Sequence, residues 1–217
     1  MPCCDNAPEG IENVGEENIS ISKADWDSHE TSWNFKTNEL LRLALGLTYD
    51  QIESSLMTEG GLNLCLETLV SKYEDYWHGK FMQLHHNEEE LNRKFIEIYG
   101  LQDELTPDVP LDEITILQKG EISIEDNQIV WHKDVIIKQF VSWMVGCFMG
   151  RYSVDKPGLI IASQGQKVED LDLPAMTLEI DDDGIIPIIQ EADFFADDMT
   201  QRIEAGIKAL FGERNFY

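Results

Sequence analysis

The sequence predicts a mostly α-helical, α+β fold: a long helix and a buried central helix, with short strands in a small meander. Three observations carry that prediction. Between Leu66 and Ile98, apolar residues recur three or four positions apart or at near sums of those steps, as on one face of a helix. Between Val135 and Met149 eleven of fifteen positions are apolar, and they occupy nearly all sides of a helix. Around Lys119-Gly120 and Asp126-Asn127, the pairs Ile114/Ile116, Ile122/Ile124 and Ile129/Trp131 alternate with polar residues, as short strands do.

The elements follow in chain order. Residues 1–18 carry Pro and Gly turns and many acids, and they read as a disordered leader. Residues 19–217 read as a single α+β domain. Ile19-Ser20-Ile21-Ser22 alternates and suggests a short strand. Asp25 to Phe35 is a polar turn region holding Trp26 and Trp33. Leu40 to Leu47 suits a short helix capped by Asn38 or Thr37, and a second helix fits Thr48 to Met57. Gly60-Gly61 breaks the chain.

The long helix carries Leu66, Leu69, Tyr73, Tyr76, Phe81, Leu84, Leu91, Phe95 and Ile98 on one face, with Gly100 where a C′ glycine should stand. At 1.5 Å per residue its length is on the order of 50 Å. Gly79 and His85-His86-Asn87 are where it could bend. Asp134 is the expected cap of the apolar helix, which a core must surround. Gly146 and Gly150 would let another element approach that helix closely. Gly158 to Ala162 suits a short strand, and Gln164 to Pro174 a loop. A final helix starting at Asp193 or Asp197 presents Phe194, Phe195, Met199, Ile203, Ile207, Leu210 and Phe211 on one face, and Gly212 ends it.

Composition limits function. The 217 residues hold 16 Lys plus Arg against 42 Asp plus Glu, a net charge of −26. That charge repels DNA and anionic membranes at long range, so the chain alone should bind DNA negligibly. With 42% hydrophobic residues it can nevertheless build a core. The four cysteines, Cys3, Cys4, Cys65 and Cys147, form no CxxC pair. Cys65 and Cys147 sit in apolar stretches, as buried reduced thiols of a cytoplasmic protein would. The N-terminus lacks a basic and apolar signal pattern, and Val135–Met149 is too short and too polar for a membrane span.

Chemical motifs are scarce. Asp181-Asp182-Asp183-Gly184 does not alternate as an EF-hand loop does, and its twelfth position is Ala192 rather than Glu, so the expectation is a solvated turn and no metal. His85 and His86 are adjacent on a helix and point apart, so they suit no shared metal. Asp197-Asp198 beside Arg202 reads as a charged helix start with an intrahelical pair. No nucleophile elbow, phosphate loop or dinucleotide glycine motif is present. No catalytic or cofactor-binding residue is assigned. The candidate DNA or partner contacts are Lys23, Trp33 and Lys36, which combine basic and aromatic groups in a turn region, and Arg151 with Tyr152 after the apolar helix. The competing role is structural: Trp33 and Tyr152 as core anchors, Arg151 as a partner of helix-end carbonyls.

Three stretches carry a family resemblance. They are ISISKADWDSHETSWNFKTNELL (19–41), NEEELNRKFIEIYGLQDELTPDV (87–109) and VGCFMGRYSVDKPGL (145–159). Weaker echoes follow in GIIPI (184–188) and FFADDMTQRI (194–203). In this order they resemble the adenine-specific DNA methyltransferases of the BREX phage-defence systems, the PglX type, and related restriction-modification methylase subunits. The resemblance spans residues 19–212. It implies a full-length enzyme that uses S-adenosylmethionine and an Asn-Pro-Pro-Tyr motif to act on a flipped adenine. Here no two of the seven prolines are adjacent, so that motif is absent and transfer chemistry is not expected. The chain resembles the part downstream of the methyltransferase domain, and its ends look like the ragged edges of a split, truncated or excised piece. The leading expectation is a non-catalytic connector with no cofactor of its own. Its partners would be the methyltransferase and target-recognition domains of the same enzyme or a split subunit. DNA would be met only through the full enzyme, and no membrane is involved. The alternative is an acidic interaction protein, at its extreme a DNA mimic, that binds a restriction or defence enzyme.

Overall fold

The structure is a computed structural model, and it describes residues 10–47, 65–161, 163–167, 177–188 and 198–212. In order, the elements are α1 (Ile11–Asp27), α2 (Glu39–Ala44), α3 (Leu66–Tyr99), a 3-10 turn (Leu111–Glu113), β1 (Ile122–Glu125), β2 (Gln128–Trp131), α4 (Lys133–Phe148) and α5 (Met199–Phe211). The mostly helical fold with a small β element is therefore present. The chain divides into two compact units: Met1–Trp26 with Glu74–His132, and Asp27–Tyr73 with Lys133–Tyr217. No helix among the described residues is long and apolar enough to cross a membrane.

In the first unit, α1 replaces two expectations. Ile11–Asn18, taken as part of a leader, is helical, and so is the Ile19–Ser22 stretch taken as a strand. Only Ile21 of that stretch is deeply buried, while Ile19 is exposed. The alternation was therefore too short to fix a period. Gly10 lies against the Lys94 ammonium, and Asn87 donates to Glu17 at 2.9 Å. Seven residues forward on α1 match seven residues backward on α3, so the two helices run antiparallel. Trp77, Phe81 and Leu84 of α3, at i, i+4 and i+7, form one buried stripe along that helix.

α3 is unbroken through Gly79 and His85-His86-Asn87, where bends were expected. It ends as expected: Gly100 has φ 68°, its N–H reaches the Glu97 carbonyl, and Leu101 N–H reaches Ile96. That is a Schellman motif. Segment 105–110 then returns along α3, with Val109 bonded to His85 and Glu89. Ile114 and Ile116 are buried without forming a strand, so the expected meander reduces to one hairpin. Its register pairs Glu125 with Gln128, leaving Asp126-Asn127 as a two-residue turn with φ of 48° and 59°. Both central residues with positive φ define a type I′ turn, which matches strand twist.

In the second unit α4 is the central element. Ile136, Phe140, Trp143, Met144, Cys147 and Phe148 are buried, and each such side chain contributes roughly 1.5–3 kcal/mol of transfer free energy. Asp134 stands inside the first turn rather than at the cap and pairs with Lys138 at 2.9 Å. The helix closes in a second Schellman motif: Gly150 N–H to Cys147 and Arg151 N–H to Gly146, with Gly150 at φ 74°. α5 lies against α4 at Gly206, where a Cβ would stand 2.6 Å from Met144 Cε. The Phe140 and Phe211 rings pack 5.8 Å apart.

The cap of α5 is Asp198, whose carboxylate accepts from Thr200 N–H. The expected caps Asp193 and Asp197 lie outside the described residues, as do Phe194 and Phe195, the helix proposed for Thr48–Met57, the Gly60-Gly61 break and most of the loop 164–174. α2 is capped by Asn38 as expected. Its Arg42 makes a buried two-pronged pair with Glu39, at 2.6 Å and 2.8 Å. Segment 158–161 is irregular rather than a strand, although Ile160 and Ile161 N–H groups bond back to the Arg151 and Gly150 carbonyls.

Candidate functional site

Four of the five sequence candidates lie in the second unit, in two segments that the fold brings together. The first is the turn 28–36. Its hub is the buried Asp27 carboxylate, which accepts from Ser32 Oγ at 2.6 Å and from Asn34 Nδ2 at 3.4 Å. Ser32 Oγ in turn accepts from Asn34 N–H, and Ser32 N–H reaches the His29 carbonyl. Asp27, Ser28 and Ser32 thus fold inward, and Ser32 satisfies the backbone of a tight turn while Asn34 stays exposed. Trp33 stands at its tip, 97% exposed. The role of core anchor in this segment falls to Phe35 instead, which is 6% exposed.

The second segment follows α4. Tyr152 is a core residue, 2% exposed, so its ring is not offered to a ligand. Gly146 makes that possible, because a Cβ there would stand 2.6 Å from Tyr152 Cδ2. Phe35 meets the same ring edge-on at a centroid distance of 5.2 Å. Burial, then the negative charge of Glu30, push the Tyr152 phenol up to about 12. Arg151 opposes the shift from its position 5.3 Å from the ring centre. Gly158 N–H donates to the Lys36 carbonyl at 2.6 Å, which fastens the first segment to the second. Trp33 and Arg151 therefore remain exposed, and Lys36 half-exposed, on joined segments. Lys23 belongs to α1 in the other unit and engages neighbours of its own.

Other chemically suggestive groups do not assemble a centre. The carboxylates of Asp181, Asp182 and Asp183 lie within 4.8 Å of one another. Asp181 is committed to Arg202 and to the Ile185 N–H, and Asp183 accepts from that same N–H. Arg202 thus finds its acid 21 residues back, not in its own helix start. His85 turns to the Val109 carbonyl at 2.7 Å while its neighbour His86 is exposed. Cys147 is buried, and burial pushes its thiol far above the ordinary range. Cys65 is half-exposed, against the Thr68 hydroxyl at 3.0 Å. An open groove of about 610 Å³ lies between segment 177–182 and α5, with Phe148 at the end of α4 and Leu178, Asp182, Arg202 and Gly206 among its lining.

Among the described residues no nucleophile, base and oxyanion donor converge. What the fold defines is a mostly helical chain with a braced surface turn at 28–36. No family model matches the chain. It is 31% identical over 212 residues to the adenine-specific methyltransferase PglX of Lacticaseibacillus casei, covering 97% of this chain and 15% of that protein. It is 29% identical over 212 residues to the adenine-specific methyltransferase BrxX of Escherichia coli, covering 94% of this chain and 16% of that protein. Over nearly its whole length, then, the chain is related to the BREX adenine-specific methyltransferases. It spans about one sixth of the length of the curated relatives it matches.

Proposed function

We propose that the chain is a non-catalytic connector segment of a BREX-type adenine-specific DNA methyltransferase. It would position the catalytic and target-recognition parts and meet DNA only through the whole enzyme. The observation that carries this reading is α3. This unbroken helix of 34 residues gives its first residues to one compact unit and the remainder to the other. A continuous helix acts as a semi-rigid spacer of about 1.5 Å per residue, and helical stability in proteins comes mostly from packed faces rather than intrinsic propensity. The kinship with a small part of much larger methyltransferases supports the same reading. So does the lack of adjacent prolines, which leaves no Asn-Pro-Pro-Tyr for a flipped adenine. S-adenosylmethionine would be held elsewhere in the enzyme, and the compartment would be the cytoplasm.

The test is complementation in trans. A BREX methyltransferase deleted for the corresponding segment is co-expressed with this chain, and genomic adenine methylation is read. Recovery of methylation together with co-purification supports the connector role. Methylation by this chain alone, or no recovery despite soluble partners, overturns it.

A further inference from the structure

We propose that the exposed end of α3, carrying Leu91, Phe95, Ile98 and Tyr99, seats in an apolar, basic-rimmed groove on the remainder of a BREX methyltransferase. The proposal rests on the connector reading and deepens it, by naming the surface through which this chain meets the rest of the enzyme.

The sequence places these residues together. Trp77, Leu84, Leu91 and Ile98 stand seven residues apart on α3, and Phe81 and Phe95 stand four residues beyond Trp77 and Leu91. On a helix these positions form one stripe, and such a stripe ordinarily faces packed protein. Over its first part it does: Trp77, Phe81 and Leu84 are buried. Leu91 is half-buried. Over its last part the stripe faces solvent, with Phe95 44% exposed, Ile98 42% exposed and Tyr99 beside them 58% exposed. Apolar residues grouped in this way on a polar background mark an interaction site.

α3 also outruns α1 at this place. The antiparallel match of Glu17 with Asn87 and of Gly10 with Lys94 sets the start of α1 opposite residues 93–94. Phe95, Ile98 and Tyr99 lie beyond that point. From Asn92 to Gly100 only Lys94 and Ile96 are even part-buried, and the Gly100 turn then closes the helix. The last two turns are therefore an already formed helix held out to solvent, which has little ordering entropy left to lose on binding. Leu91, Phe95 and Ile98 at i, i+4 and i+7 have the anchor spacing of a helix received in a groove.

Size and charge select the occupant. The matching part is 15% of the PglX relative and 16% of the BrxX relative, so most of each of those proteins lies outside it. In a connector, such neighbouring parts are present at high effective concentration. A second copy of this chain is disfavoured, because each copy carries a charge of −26. Near the stripe the exposed acids are Glu97, Asp103 and Glu104, and Glu90 pairs with Lys94, with Arg93 the other base. An apolar centre in acidic surroundings is complemented by an apolar groove rimmed with Lys or Arg.

The experiment uses the full chain co-expressed with a BREX methyltransferase that lacks the corresponding segment and carries an affinity tag. The wild-type chain should be captured with it. The double substitution Phe95→Glu and Ile98→Asp should reduce capture at least about thirtyfold, as loss of an interface anchor does. Circular dichroism and the melting midpoint of that variant should stay close to wild type, since both side chains are exposed. A photo-crosslinking phenylalanine in place of Tyr99 should form an adduct with the methyltransferase, and it decides the matter should the double variant fail to fold. Undiminished capture of a folded double variant, or no adduct within a captured complex, overturns the proposal and leaves the connector reading standing. Failure to capture the wild-type chain overturns both. A wild-type chain that is dimeric by light scattering, with a monomeric double variant, overturns it in favour of a second copy as occupant.

Discussion

The ring of Tyr152 occupies the place where a side chain at Gly146 would stand: a Cβ there would lie 2.6 Å from Cδ2 and 2.9 Å from Cε2. The contact joins the last turn of α4 to the segment beyond it, and through Phe35 it also holds the turn that carries Trp33. Gly146→Ala forces a buried ring to move, so it should destabilise by about 1–3 kcal/mol despite the better helix propensity of alanine. Urea denaturation of the purified variant checks this. An unchanged or raised midpoint would show that the ring can yield freely.

The core of the second unit makes a larger prediction. Phe140 is fully buried and packs on both Trp143 and Phe211, with ring centres 5.9 Å and 5.8 Å away. Phe140→Ala should cost roughly 3–5 kcal/mol, because the aromatic neighbours cannot collapse into the space. A reversible melt showing a loss below about 1 kcal/mol would mean that α4 is not the centre of this core.

The hairpin turn offers a backbone test. Asn127 has φ 59° and follows Asp126 at φ 48°. Asn127→Gly should be neutral to stabilising, since glycine adopts this conformation without penalty. Asn127→Val should cost about 1–3 kcal/mol, because a branched Cβ is crowded there. The pair of thermal melts should separate in that order, and equal midpoints would contradict the type I′ turn.

These elements differ in how far they could be read in advance. The long helix was legible because apolar residues from Leu66 to Ile98 keep one period over many turns and Gly100 closes it. The buried helix was legible because eleven apolar residues among the fifteen from Val135 to Met149 cover nearly all sides of a helix, which only a core can surround. α1 was not, because Ile19-Ser20-Ile21-Ser22 fits a strand over four residues and only the wider window, with Val14 and Ile11, restores a helical step. The candidate surface was legible only residue by residue. Trp33 and Arg151 are more than a hundred positions apart, and the joining of their segments depends on the Lys36–Gly158 backbone bond and the Phe35–Tyr152 contact. Sequence could not tell that Tyr152 turns inward while Trp33 turns outward.

The connector reading predicts that the chain alone does not bind S-adenosylmethionine. No glycine loop of a known phosphate- or nucleotide-binding type occurs in the sequence, and no two prolines are adjacent. Isothermal titration with the cofactor should give heats of dilution only. Saturable one-to-one binding in the micromolar range would count against the reading and call for a cofactor pocket in this segment.

The last prediction concerns alkaline pH. Burial first, and then the charge of Glu30, hold the Tyr152 phenol un-ionised up to about 12, against an ordinary value of 10.0. Between pH 10 and pH 12 the unfolded chain therefore releases this proton while the folded chain keeps it. The unfolded state binds fewer protons in that window, so stability falls as pH rises. Below pH 10 both states hold the proton and the group contributes no slope. Urea midpoints measured from pH 9 upward should drop across this window in the wild-type chain. Tyr152→Phe has no proton to lose and should show a shallower fall. It would retain only the part due to other groups such as Cys147, whose raised thiol acts in the same direction. Glu30→Gln removes the second cause and should move the onset of phenolate absorbance by one tyrosine toward lower pH. If Tyr152→Phe falls as steeply as the wild type, the alkaline loss arises elsewhere and the ring does not sit in the buried, acid-flanked position found here.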